Sequence, residues 1–157
     1  MRLNPRVLLP VILLVALAAR LVFCVAVVGL DAWGWGDEPD YHRHAADIAA
    51  GRGFVSPEGE ATAARPPLYP TVLGAVYRLF GPSHAAGRIL QILLGTYIVF
   101  LVYLVAADLL SREAGLAAAA FAAVNPSLVY LSALLMTENL AIVLLLLLLL
   151  ALAKDAV

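Results

Sequence analysis

"VLLPVILLVALAARLVFCVAVVGL", residues 7–30, decides the fold class. Arg20 is the only charge in these 24 residues. At a rise of about 1.5 Å per residue the run crosses a hydrocarbon core of roughly 30 Å. The rest of the chain agrees: of 157 residues, 64% are hydrophobic and 13% charged, whereas soluble domains are near half apolar and a quarter charged. The sequence therefore predicts an integral membrane protein. A net charge of -1 without a Lys/Arg run provides neither a basic field for nucleic acid nor a polybasic lipid-surface patch. The one cysteine, Cys24, lies within the apolar run, so no intramolecular disulfide forms and the thiol is a small buried hydrophobe.

Residues 7–30 outlast the roughly 7–15 residues of a signal-peptide apolar core, which makes them an uncleaved first span. Arg2 and Arg6 precede it and put the N-terminus in the cytoplasm. Further spans are predicted at 89–110, 114–136 and 139–154, the last completed by Asn139 and a snorkelling Lys154. Asn125-Pro126 should kink the third, because proline removes a helix hydrogen bond. Residues 66–81 carry three prolines and Arg78 and are short for a span, so they are expected to lie at the interface with Tyr69 and Tyr77 at headgroup depth. The expectation is an all-α integral membrane fold: about four transmembrane helices in a single domain over 1–157, with amphipathic interfacial helices in the outer loop 31–88. Arg112 and Lys154 then share the inner side with Arg2 and Arg6, while the loop and the Thr137-Glu138 turn share the outer face. The protein belongs in the cytoplasmic (inner) membrane among its lipids.

The polar residues concentrate in "GDEPDYHRHA", residues 36–45. Pro39 suits the first turn of a helix and Gly51 the position just past its end. Asp40, Arg43, His44 and Asp47 fall on one stripe, with Tyr41, Ala45, Ile48 and Ala49 on the opposing one. Asp37 and Glu38 lie at the N-terminus, where helix capping accounts for them as well as reactivity does. Arg65, held before Pro66-Pro67, suits a phosphate, or any interfacial lipid headgroup. His42 and His44 are two apart on a helix and make a poor metal pair. Arg20 in mid-span must face protein or a cavity, most simply as a partner for a polar group on another helix.

These stretches resemble a known family. "GDEPDYHRHAADIAAGRGFV" (36–55), "ARPPLYPTVLGAVYRLFG" (64–81), "GRILQILLGTYIVFLVYLVA" (87–106) and "NPSLVYLSALLMTENLAIVL" (125–144) resemble the N-terminal part of the C-type membrane glycosyltransferases. The similar branch includes protein O-mannosyltransferases and lipid A aminoarabinose transferases. Asp-Glu-x-x-Tyr, Gly-x-Gly-Phe and Arg-Pro-Pro-Leu-Tyr are the most specific parts. The resemblance implies a cell-envelope enzyme that transfers a sugar from a polyprenyl-phosphate donor to an acceptor on the outer (periplasmic, extracytoplasmic or lumenal) face of the membrane. It implies that Asp37 is the acceptor-activating carboxylate with Glu38 beside it, that Arg65 contacts the carrier phosphate, and that Glu138 is a second acidic position. Tyr41, Arg52 and Tyr69 are expected to add substrate contacts.

Two departures qualify this. Where the aminoarabinose branch has a metal-binding glutamate before the basic residue, this chain has Ala64, so no metal ligand is assigned and metal dependence is left open. Family members continue through further spans, so the chain is expected to be the N-terminal portion of a larger fold. The competing expectation is a non-catalytic four-span lipid-binding or assembly subunit, whose acidic loop only caps a surface helix.

Overall fold

The computed structural model describes residues 5–155. Arg2 lies outside the described residues, as do the side chains of Arg6 and Lys154. Among the described residues seven α-helices form: α1 (Pro5–Phe23), α2 (Glu38–Ala49), α3 (Leu68–Phe80), α4 (His84–Leu109), α5 (Arg112–Val124), α6 (Pro126–Leu131) and α7 (Glu138–Asp155). A π-helical turn, Cys24–Val28, prolongs α1. One isolated antiparallel bridge, Val55 to Ala61, closes the loop after α2.

Among the described residues two helices are long and apolar enough to cross a membrane, Val7–Val28 and His84–Leu109, and Glu138–Ala153 is a shorter apolar helix. The expected third span is not one helix. Asn125 leaves the helical region with ψ at 121°, and its side chain accepts from the backbone N–H groups of Ser127 and Leu128. Asn125-Pro126 therefore stops one helix and caps the next, rather than kinking a continuous one.

The break leaves orphans, and Arg20 meets them. The carbonyl of Ala122 would ordinarily accept from residue 126, a proline without an N–H. That of Ala123 would accept from Ser127, whose N–H is taken by Asn125 Oδ1 at 3.1 Å. The fully buried Arg20 reaches across from α1 and donates to Ala123 at 3.0 Å and to Ala122 at 3.4 Å. A charge in mid-span is thus partnered by carbonyl dipoles on another helix. Gly95 of α4 makes room, since a Cβ there would overlap Ser132 Oγ and lie 2.9 Å from Arg20 Nε.

Small residues let the bundle close. Ala16 of α1 packs with Ala119, Ala122 and Ala123 of α5 in one buried cluster with Ile12, Val99 and Leu116. Small side chains permit the backbone approach that holds helices together when lipid removes the hydrophobic drive.

Polar contacts gather several elements at one end of the bundle. Arg88, one turn into α4, donates to Leu30 and Ala32 after α1 and to Ala133 after α6. At the opposite end α4 passes into α5 through Leu110 and Ser111. The gathered end also carries the hairpin of α2 and α3, joined by buried Tyr41, Ala45, Tyr69, Leu73 and Tyr77. The loop and the turn before Glu138 therefore share one end of the molecule. α2 ends where expected, with Gly51 following at φ 78°. His44 departs from its expected exposed stripe: it is 1% exposed, because the loop after Gly51 brings Phe54 to stack on its ring at 4.1 Å.

Candidate functional site

Asp37 starts α2, but its side chain caps nothing. Its two oxygens accept instead from Arg65, Oδ1 from Nη2 at 2.6 Å and Oδ2 from Nη1 at 2.9 Å. Asp40, one turn on, accepts through Oδ2 from Nη2 at 2.9 Å and from Nε at 3.3 Å. One guanidinium thus holds two carboxylates, and all three groups keep access to solvent. Asp40 first, and Asp37 after it, raise the proton affinity of Arg65 beyond its ordinary value.

A chain of aromatic and amide contacts fixes the cation. Arg65 Cζ lies 5.9 Å from the centre of the Tyr41 ring, within reach of a cation–π attraction. Tyr41 packs edge-on against Tyr69, with ring centres 5.3 Å apart. The Tyr69 hydroxyl accepts from Gln91 of α4 at 2.7 Å. Gln91 also donates to the Met136 carbonyl and accepts from Asn139 of α7. The position of Arg65 is therefore tied to α4 and α7. Burial pushes the hydroxyls of Tyr41 and Tyr69 above the ordinary phenol range, so both remain protonated.

Glu38 has different surroundings from Asp37. It is fully buried. Oε1 accepts from the Leu135 N–H at 2.5 Å, Oε2 from the Trp35 N–H at 2.9 Å, and Arg88 Nη2 lies 3.6 Å from Oε2. Gly34 is needed beside it, because a Cβ there would lie 2.6 Å from Oε2. The carboxylate expected to react beside Asp37 is instead enclosed and committed to joining α2, α4 and the turn after α6.

Glu138 opens α7 with Oε2 buried and unpartnered among the described residues. Its charge contributes to the raised proton affinity of Tyr41. Arg52 is not brought to Arg65: it pairs at 2.6 Å with Asp47, near the far end of α2. Arg43 donates to the Val55 carbonyl at 2.8 Å and so braces the loop, while its side chain stays partly exposed. His42 and His44 face apart, the first toward Tyr77 and His84, the second toward Phe54. Beside Arg65 opens a cleft of about 460 Å³, whose walls include Phe54, Thr62, Ala64, Pro66 and Pro67.

Arg88 and Gln91 escaped the sequence reading, which began the second span at Ile89. An arginine at the edge of an apolar run looks like any snorkelling residue. Only the fold shows that its partners lie 56 and 58 residues upstream and 45 downstream.

A family model described as dolichyl-phosphate-mannose-protein mannosyltransferase matches residues 64–156, a stretch that includes Arg65, Arg88 and Glu138. No curated protein and no solved structure matches the chain.

Proposed function

Because the chain belongs to the dolichyl-phosphate-mannose-protein mannosyltransferase family, and so to proteins of membrane glycosyltransferase type, we propose that it transfers a sugar from a polyprenyl-phosphate carrier to an acceptor hydroxyl on the outer face of the cytoplasmic membrane. The observation that carries this reading is the two-point contact of Asp37 with Arg65 at one end of an apolar bundle. Arg112 starts α5 at the other end, which fits a positive inner side and an outer site.

The transfer needs a base for the incoming hydroxyl and positive charge on the departing phosphate. Asp37 takes the acceptor proton as the acceptor oxygen bonds to the anomeric carbon. The bond from that carbon to the phosphate oxygen breaks, its electron pair leaves on the phosphate, and Arg65 stabilises that charge through its N–H groups. Asp37 then returns the proton to solvent. Tyr41 and Tyr69 hold Arg65 in place, and Glu138 lines the donor side. Glu38 and Arg88 keep the reacting end assembled, and Arg52 lies outside the reacting cluster.

The test supplies the full-length protein in membranes with polyprenyl-phosphate mannose labelled in the sugar, together with polypeptide and glycan acceptors. Label should leave the lipid fraction with wild type and remain there with Arg65→Gln. Wild type that leaves the label on the carrier with every acceptor supports a non-catalytic subunit instead.

A further inference from the structure

We infer that Asp37 is the resting occupant of the phosphate-binding edge of Arg65, and that the carrier phosphate binds by displacing it while Asp40 retains the cation. This rests on the functional reading above and adds an order of events to it. A guanidinium has five N–H groups and offers paired donors along its edges. Here Nη1 and Nη2 hold the two oxygens of Asp37, while Nη2 and Nε hold Asp40 Oδ2. Four of the five N–H groups are taken, and the remaining one, on Nη1, cannot grip a phosphate bidentately. A carboxylate must therefore leave before two phosphate oxygens can bind.

The two carboxylates are not equivalent. Asp40 lies within α2, carried on helical backbone, and its contact uses a single oxygen. Asp37 lies at the helix boundary, makes no side-chain cap, and has Arg65 as the only side-chain partner of both its oxygens among the described residues. Displacing Asp37 frees both oxygens in one event and vacates the edge that matches a phosphate. Tyr41 beneath the guanidinium and Asp40 on its other edge keep Arg65 in place through the exchange. The base thus becomes free to accept a proton only once donor is bound. Asp40 is a positioning residue that touches neither reactant.

The test titrates the full-length protein in nanodiscs with polyprenyl phosphate lacking the sugar, comparing wild type, Asp37→Asn, Asp37→Ala and Arg65→Gln. Removing the competing carboxylate should tighten binding in both Asp37 variants on the order of tenfold, and Arg65→Gln should weaken it by a similar factor. Asp37 variants that bind as wild type does or more weakly, while Arg65→Gln still loses affinity, overturn the exchange and leave the proposed function standing. Affinity unchanged by Arg65→Gln overturns the functional reading and the exchange together.

Discussion

Glu38 and Leu135, 97 residues apart in the chain, meet in a buried hydrogen bond of 2.5 Å from the Leu135 N–H to Oε1. This contact ties the start of α2 to the turn between α6 and α7. Adjacent acidic residues thereby acquire different tasks: Glu38 joins helices, and Asp37 stays open to solvent against Arg65.

Glu38→Ala should destabilise the fold by about 3–5 kcal/mol, since it leaves Arg88 buried without its carboxylate and two backbone N–H groups without an acceptor. Thermal unfolding in detergent checks this. A midpoint lowered by many degrees is expected, and an unchanged one removes Glu38 from the scaffold.

Arg20→Met should cost about 2–4 kcal/mol, because the carbonyls of Ala122 and Ala123 lose their donor in a water-poor interior. Asn125→Ala, which removes the cap of α6, should cost about 1 kcal/mol. Unfolding midpoints that reverse this order contradict the account of the helix break.

Stability should fall in mild acid. Burial, and after it the stacked His84 ring, hold His42 below its ordinary range. Burial, and then Arg43, do the same to His44. A histidine with a lowered folded pKa contributes stability that is complete above its unfolded value near 6.5 and is lost as pH falls through the folded value. The unfolding midpoint should drop as pH falls below about 6.5, and His42→Gln should flatten the drop. A profile equally steep in that variant assigns the effect elsewhere.

Much of this architecture was readable from local pattern. Pro39 and Gly51 bracket α2 to within a residue or two, and the apolar runs locate α1, α4 and α7. Asp37 and Arg65 were each singled out by residue type and neighbours, but their contact crosses 28 residues and has no local signature. Periodicity failed where the loop folds back: Phe54 covers His44, which an isolated helix would expose. It failed again at Asn125-Pro126, because a kink and a full stop differ only in whether another helix can satisfy the freed carbonyls. That depended on Arg20, more than 100 residues earlier.

The most direct test of the account is sugar transfer by the full-length protein carrying Asp37→Asn, measured with its thermal unfolding midpoint and its retention in membranes. Turnover should fall about 10²- to 10⁴-fold, the range for loss of a general base, with folding and insertion as in wild type. Turnover within a few-fold of wild type would contradict the assignment of Asp37 as the base.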